Sequence, residues 1–296
     1  MDGSDLGVMR LWPDKFRNWR STPHFIADNF ATYMPVKSSS LKPPNLGGYL
    51  LDLDGVLYRG SQAIAGAADF IQRLRNAQRP FCCITNHTCR TPPQISRKLK
   101  GMGIPVEPKE VLTAGQATAS WLSQRGATKI FAIGERAFIS ALKAEGIDPN
   151  SATPSHVVVG LDRRVSYARL MKAAQWLLKG VPFIATNPDM SYPTEAGSAP
   201  ECGFYLAGLE RMSGRVPTVV GKPGPFMFRL AAARLGLKPS RLTMIGDRLD
   251  TDVAGAKRAK MRSVLVLSGH TTRAMAQRAR IKPDLVIRDV GRIVNV

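Results

Sequence analysis

Two acidic residues separated by a single leucine follow a short apolar run in the stretch Tyr-Leu-Leu-Asp-Leu-Asp-Gly at residues 49–55. The apolar residues predict a buried parallel strand that ends at Asp52 and Asp54. Because residues i and i+2 of a strand face the same side, both carboxylates can project into one crevice. Carboxylates so close repel each other unless a cation or a shared proton lies between them. A turn that uses Asp and Gly only for local hydrogen bonds is the alternative interpretation.

Polar residues also stand where three later predicted strands end. Thr85 and Asn86 follow the run Phe-Cys-Cys-Ile, and Lys222 follows Val-Val-Gly. Asp247 follows Leu-Thr-Met-Ile-Gly, and Asp252 opens the next helix. Taken singly, each has an ordinary explanation as a helix cap, a surface lysine or a partner of a helix dipole. Together they place carboxylates able to bind Mg²⁺ beside donors for a phosphate, which indicates phosphoryl transfer.

Strand and helix patterns alternate along residues 47–296, which predicts a parallel sheet built from right-handed βαβ units. Amphipathic helices are predicted over 67–75 and 166–178. The predicted strands span residues 49–54, 81–85, 129–134, 156–162, 182–186, 217–222, 242–247, 263–268 and 285–288. Ligands of such sheets bind outside the carboxyl ends of the strands. The polar residues described above are therefore expected at equivalent strand ends around one crevice.

The composition limits the class of protein. The chain has 296 residues, 44% of them hydrophobic, and a formal net charge of +20 at pH 7. This charge favours anionic partners, but no Lys/Arg block with interleaved aromatic residues occurs, so nucleic-acid binding is not expected. No apolar stretch has the length of a membrane-spanning helix. The four cysteines form no CxxC pair, which favours free thiols in a reducing cytoplasm.

The same residues resemble, in the same order, the four sequence motifs of the haloacid dehalogenase (HAD) superfamily. The matching stretches are Asp-Leu-Asp-Gly-Val at 52–56, Thr-Asn at 85–86, Lys-Pro at 222–223 and Gly-Asp-Arg-Leu-Asp-Thr-Asp at 246–252. Ala-Thr-Asn-Pro-Asp at 185–189 is similar to the NagD-like phosphatases, which include the p-nitrophenyl-phosphatase and phosphoglycolate phosphatase groups. One departure is His87, which stands where the family usually has a second Asn. It either affects the substrate preference or is an ordinary loop histidine.

The resemblance covers residues 47–296 and implies an α/β fold of two domains. Residues 47–120 and 210–296 would form a Rossmann-like parallel-sheet HAD core, and residues 121–209 an inserted α/β cap domain. More than 130 residues separate the second motif from the third, which exceeds the length of one βαβ crossover. Residues 1–46 lie outside the resemblance and are expected to form an N-terminal extension.

The resemblance also implies roles for the three acids of the crevice. Asp52 would be the nucleophile that forms an aspartyl-phosphate. Asp54 would protonate the leaving oxygen and then deprotonate the attacking water. The expected cofactor is Mg²⁺, held by Asp52, by the backbone carbonyl of Asp54 and by Asp247.

The remaining motif residues would bind the phosphate or support the site. Lys222 would neutralise the phosphate and the nucleophile, while Thr85 and Asn86 would orient the phosphoryl oxygens. Asp252 would support the site indirectly, through Lys222 or a metal-bound water. Asn187, in the cap loop, would contact the substrate, although Asn-Pro-Asp is also an ordinary turn sequence.

We therefore expect a Mg²⁺-dependent phosphatase that acts on small phosphomonoesters, such as nucleotide, sugar, glycolate or glycerol phosphates. The alternatives are a phosphotransferase or other HAD chemistry on the same scaffold, and a non-enzymatic binder of anions or nucleic acid. The expected partner is a small phosphorylated metabolite and not a membrane, and a homo-oligomer would form through the cap.

Overall fold

The computed structural model describes residues 47–194 and 197–294. Its strands are β1 (Gly48–Leu51), β2 (Tyr58–Arg59), β3 (Gln62–Ala63), β4 (Phe81–Thr85), β5 (Val111–Thr113), β6 (Phe131–Ile133), β7 (Val157–Val159), β8 (Phe183–Ala185), β9 (Ser191–Thr194), β10 (Gly197–Pro200), β11 (Thr218–Val219), β12 (Leu242–Gly246), β13 (Arg262–Val266) and β14 (Leu285–Ile287). Its α-helices are α1 (Ala67–Asn76), α2 (Pro92–Gly101), α3 (Ala114–Ser123), α4 (Arg136–Ala144), α5 (Tyr167–Leu178), α6 (Cys202–Ser213), α7 (Pro225–Arg234), α8 (Ala254–Arg258) and α9 (Arg273–Arg278). Within these ranges, no helix has the length and apolar character needed to cross a membrane.

Six parallel strands form the larger sheet, in the order β14-β13-β12-β1-β4-β5. The central strand β1 is buried along its whole length, as its continuous apolar run predicts. Leu51, its last residue, pairs with Ile245 of β12 on one side and with Cys83 of β4 on the other. This register brings the carboxyl ends of β1, β4 and β12 to the same edge of the sheet.

Four parallel strands form the smaller sheet, in the order β11-β8-β7-β6. The sequence pattern predicts that the strand before Lys222 ends beside the other motif strands, but β11 pairs with β8 in this smaller sheet. A short apolar run that ends in a lysine fits either sheet, so the pattern did not distinguish them. Beyond β11, Val220 and Gly221 donate to the carbonyl groups of Ala185 and Thr186 and continue the pairing toward Lys222.

The predicted α/β class is confirmed, and each of the nine predicted strands has a counterpart in the structure. Strand β4 has the predicted bounds, whereas most others are shorter, as β7 is. Strand β5 and the hairpins β2–β3 and β9–β10 were not predicted. These three features are short, so they lack the long apolar run that reveals a buried strand.

One apolar cluster contains residues beside both sheets. Leu50 and Phe228 near the larger sheet belong to the same cluster as Phe138 and Val158 near the smaller one. Helix α3 packs against both α4 and α7, which connects the two parts. The division into core and cap at 120/121 and 209/210 stays a prediction, and each of these boundaries falls inside a helix, the first in α3 and the second in α6.

Candidate active site

Asp52 directly follows β1 and is buried at the edge of the larger sheet. Its backbone N–H donates to the carbonyl of Ile245 at 2.9 Å, which extends the pairing of β1 with β12 by one residue. The carboxylate oxygen Oδ1 accepts the N–H of Leu53 at 2.8 Å and lies 2.7 Å from Nζ of Lys222. Among the residues described, no hydrogen bond reaches Oδ2. One oxygen is thus held in place and the other is free to react.

Lys222 lies between two buried carboxylates. Its Nζ is 2.7 Å from Oδ1 of Asp52 and 2.8 Å from Oδ1 of Asp252, and its side chain is 3% exposed. Burial opposes the charged ammonium, but the Asp252 and Asp52 carboxylates outweigh it and hold the pKa of Lys222 above its usual value. Lys222 therefore stays positively charged beside Asp52.

Three buried carboxylates form the cluster that can hold a cation. One oxygen each from Asp52, Asp247 and Asp252 lies within 4.8 Å of the others. Burial, together with their mutual repulsion, raises the pKa of all three carboxyl groups, although Lys222 opposes the shift. Their three negative charges and the single positive charge of Lys222 leave an excess of two negative charges. This donor set fits one divalent cation with a preference for oxygen ligands, such as Mg²⁺.

Asp247 is held at the carboxylate cluster by the loop after β13. Its Oδ2 accepts the backbone N–H of His270 at 2.6 Å. Gly55, with a φ of 79°, and Gly269 both lie against this carboxylate. A Cβ at Gly55 would stand 2.5 Å from Oδ2 of Asp247, and a Cβ at Gly269 would stand 2.0 Å from it. Glycine is therefore required at both positions for Asp247 to reach the cluster.

Asp54 is exposed to solvent, unlike Asp52, although protein atoms surround its carboxylate on several sides. The hydroxyl of Tyr58 donates to Oδ2 of Asp54 at 2.8 Å. Crowding by the protein raises the pKa of the Asp54 carboxyl, and the Tyr58 hydrogen bond and the charge of Lys98 oppose the rise. The role of Tyr58 was not predicted, although it directly follows the Asp-Gly-Val-Leu stretch.

Thr85 is the last residue of β4 and Asn86 directly follows it, but only Thr85 keeps a free donor. Thr85 Oγ1 accepts the N–H of His87 at 3.2 Å, which leaves the hydroxyl hydrogen available. Asn86 accepts the N–H of Lys222 through Oδ1 at 2.9 Å, and its Nδ2 donates to the Lys222 carbonyl at 3.0 Å and to Asp189 at 2.9 Å. Its carboxamide thus positions the backbone of the lysine, and its role in orienting the phosphoryl oxygens stays a prediction.

Asn187 is fully buried at the start of the loop that follows β8. Its Nδ2 donates to the carbonyl of Asn86 at 3.1 Å and to Oε1 of Glu201 at 3.3 Å, while its Oδ1 accepts the N–H of Asp189 at 3.0 Å. The contact of Asn187 with substrate stays a prediction. The side chain ties the loop after β8 to the end of β4.

Glu201 directly precedes α6 and lies beside Asn187. It is 6% exposed, it accepts the N–H of Cys202 at the start of α6, and Asn187 donates to it. Burial raises the pKa of Glu201 to about 7, with the charge of Asp189 adding to the rise. A buried acid beside Asn187 and Asp189 was not detectable from the sequence, because no periodic pattern surrounds it.

Two family models match this chain, a haloacid dehalogenase-like hydrolase over residues 49–148 and a HAD-hydrolase-like family over residues 219–293. The acid sugar phosphatase of Staphylococcus haemolyticus is 34% identical over 249 residues, which cover 83% of this chain and 95% of the relative.

Solved structures of phosphatases have the same fold. The 4-nitrophenylphosphatase of Thermotoga maritima is 35% identical with a TM-score of 0.79, over 83% of this chain and 95% of that one. NagD of E. coli K-12 is 31% identical with a TM-score of 0.80, over 84% of this chain and 98% of that one. The glycerol phosphate phosphatase of Mycobacterium tuberculosis, solved in complex with magnesium, is 29% identical with a TM-score of 0.78. The match covers 83% of this chain and 75% of that one.

Proposed function

Because this chain belongs to the haloacid dehalogenase superfamily, and within it to the NagD-like phosphatases, we propose that it hydrolyses small phosphomonoesters with Mg²⁺ through an aspartyl-phosphate. The observation that carries the proposal is the buried group of Asp52, Asp247 and Asp252 around Lys222. Asp54, two residues after Asp52, completes it with a second carboxylate that solvent can reach.

Asp52 is the nucleophile of the proposed reaction. Lys222 and the N–H of Leu53 hold Oδ1, so that Oδ2 attacks phosphorus. A new bond forms between Oδ2 and phosphorus, the bond from phosphorus to the ester oxygen breaks, and its electron pair stays on the leaving oxygen. Water then cleaves the aspartyl-phosphate and restores the carboxylate.

Asp54 transfers the protons of both steps. Its raised pKa suits a carboxyl group that first gives a proton to the leaving oxygen and then takes one from the attacking water. The Tyr58 hydroxyl, 2.8 Å from Oδ2, orients the carboxyl group for both transfers.

Lys222 and Thr85 bind the transferring phosphoryl group. The ammonium of Lys222 neutralises charge on the phosphate and on Asp52, and the free hydroxyl hydrogen of Thr85 donates to a phosphoryl oxygen. Asn86 keeps the lysine backbone in position. Asp52 and Asp247, with the backbone carbonyl of Asp54, would hold Mg²⁺, and Asp252 holds Lys222. When bound, the cation supplies positive charge that offsets the repulsion between the nucleophile and the anionic substrate.

The proposed substrate class includes sugar phosphates and glycerol phosphate, because relatives with these substrates in their names cover most of this chain. A cytoplasmic location and a homo-oligomer formed through the cap stay predictions.

The test is phosphate release from p-nitrophenyl phosphate and a panel of phosphorylated metabolites, with and without Mg²⁺. We expect Asp52→Asn to lower kcat by at least about a thousandfold, because an amide is not a workable nucleophile at phosphorus. Asp69→Asn, which removes an exposed carboxylate from the first turn of α1, is the matched control and should keep the wild-type rate. Turnover by Asp52→Asn at the wild-type rate would contradict the mechanism.

A further inference from the structure

Two cations beside Asp54 have no carboxylate partner of their own. Nζ of Lys98 lies 3.7 Å from the centre of the Tyr58 ring, whose hydroxyl donates to Asp54. Arg90 is exposed, and its charge acts on Asp54, on Tyr58 and on Lys98. In the described part of the chain, neither Arg90 nor Lys98 forms an ion pair.

Two other cations around the same crevice are paired with carboxylates. Arg163, whose charge acts on His87, lies 2.5 Å from the Glu135 carboxylate. Arg248, whose charge acts on Asp247, lies 2.8 Å from Asp250. Their charges are therefore largely balanced by protein groups, whereas those of Arg90 and Lys98 are balanced only in part by Asp54.

His87 adds a hydrogen-bond donor to this group but no charge. Its Nδ1 accepts the N–H of Cys89 at 3.0 Å, so the neutral ring carries its proton on Nε2. Burial and the charges of Arg90 and Lys98 lower the pKa of His87 to about 4, and the ring is neutral at physiological pH. Two positive charges thus stand against at most one negative charge, that of Asp54 when it is ionised, so positive charge is in excess.

We propose that Arg90 and Lys98 form a subsite for a second anionic group, so that the preferred substrates carry a carboxylate or another phosphate on the leaving group. The inference rests on the proposed function, because it takes Asp54 as the acid that contacts the leaving oxygen. Lys98 contacts the ring whose hydroxyl bonds to Asp54, and the charge of Arg90 acts on the same carboxyl group, so we assign both cations to the leaving-group side. The contact with the Tyr58 ring pairs no N–H of Lys98 with an oxygen acceptor. The ammonium therefore keeps its donors for a ligand.

The experiment compares two substrates of equal size that differ in one charge. In 3-phosphoglycerate a carboxylate replaces the hydroxymethyl group of glycerol 3-phosphate. The ratio of their kcat/KM values measures the preference for a second anionic group. Glucose 1,6-bisphosphate against glucose 6-phosphate measures a second phosphate in the same way. We expect wild type to prefer the more anionic member of at least one pair by about tenfold or more.

Substitutions assign that preference to the two cations. Lys98→Gln and Arg90→Gln should each lower the kcat/KM ratio about tenfold, through KM more than through kcat, while Lys98→Arg should retain it. Arg97→Gln is the matched control, since Arg97 is exposed on the same helix α2 and its removal changes the net charge equally. A ratio unchanged by Lys98→Gln and Arg90→Gln, or lowered as much by Arg97→Gln, overturns the subsite.

The outcome also separates the subsite from the proposed function. If neither substrate of a pair releases phosphate with Mg²⁺, the proposed function fails, and calorimetric titration with 3-phosphoglycerate and glycerol 3-phosphate then decides the subsite alone. Tighter binding of 3-phosphoglycerate that Lys98→Gln abolishes supports it. Equal binding of the two ligands overturns it.

Discussion

Asp52 and Asp54 come from one short stretch, yet the groups around them differ in kind. Asp52 is buried with a lysine and two further carboxylates, which suits an ion that binds a cation and attacks phosphorus. Asp54 is open to solvent, and a tyrosine hydroxyl and two cations surround it, which suits a group that exchanges protons. At the scale of single residues, burial and partners decide the chemistry, because both residues are aspartates.

Glu201 gives a prediction for the pH dependence of stability. Its pKa is raised to about 7 in the folded protein, whereas an unfolded chain binds the same proton with a pKa near the ordinary glutamate value of about 4.3. The folded state therefore binds more protons between these values, and its stability is full below about pH 4 and falls as the pH rises to about 7. We expect the ionisation of this one carboxyl group to lower the free energy of unfolding by roughly 1–3 kcal/mol between pH 4 and pH 8.

The measurement is urea unfolding of the wild type and of Glu201→Gln at several pH values. The difference between their free energies of unfolding should shift in favour of the variant as the pH rises, because glutamine does not ionise. Glu210→Gln, a substitution farther along the same helix α6, should follow the wild-type profile. Parallel wild-type and Glu201→Gln profiles from pH 4 to pH 8 would show that Glu201 is not perturbed.

At the scale of elements, the loops that follow the strands connect two sheets at one side chain. Asn86 directly follows β4 of the larger sheet, holds the backbone of Lys222 and also bonds to Asp189 beyond β8 of the smaller one. Lys222 follows β11 of the smaller sheet but acts beside Asp52 of the larger one. The position of the lysine therefore depends on the junction of two sheets and not on either sheet alone.

Asn86→Ala should test this junction. The substitution leaves the buried N–H and carbonyl of Lys222 without their partner, so we expect a loss of about 2–4 kcal/mol in the free energy of unfolding. Phosphatase kcat/KM should fall at least about tenfold, because the ammonium loses its fixed position. Asn76→Ala, which removes an exposed amide at the end of α1, is the control for both measurements. A variant as stable and active as Asn76→Ala would contradict the positioning role.

The sequence predicted what depends on local patterns. Strand β4 was predicted with its full bounds because four consecutive apolar residues are followed by the polar pair Thr85 and Asn86. The α/β class and the gathering of Asp52, Lys222, Asp247 and Asp252 followed from alternating elements and from ordered motifs. The hydrogen bonds of Asn86 and Asn187 could not be predicted, because their partners lie about a hundred residues or more away. The sheet to which β11 belongs was missed because its two residues carry no distinguishing pattern.

At the scale of the whole molecule, the net charge and the site charge have opposite signs. The chain carries a formal charge of +20, which attracts anionic phosphate esters and repels a free divalent cation. The buried carboxylate cluster, with its excess of two negative charges, must therefore supply the affinity for Mg²⁺ locally. Salt screens the long-range repulsion over about 8–10 Å, whereas the buried cluster is screened much less.

Binding of Mg²⁺ to the folded state alone should then stabilise the whole fold. At a free concentration of about 100 times Kd, one bound cation adds about 2.7 kcal/mol, and Tm should rise by roughly 5–10 °C in a scan against an EDTA-treated sample. Asp247→Asn should remove this rise, because it takes one carboxylate from the cluster. Asp250→Asn should retain it, since Asp250 is exposed and paired with Arg248 outside the cluster. An equal rise in all three proteins would mean that Mg²⁺ acts on the surface, and no rise in the wild type would mean that the carboxylates hold no divalent cation.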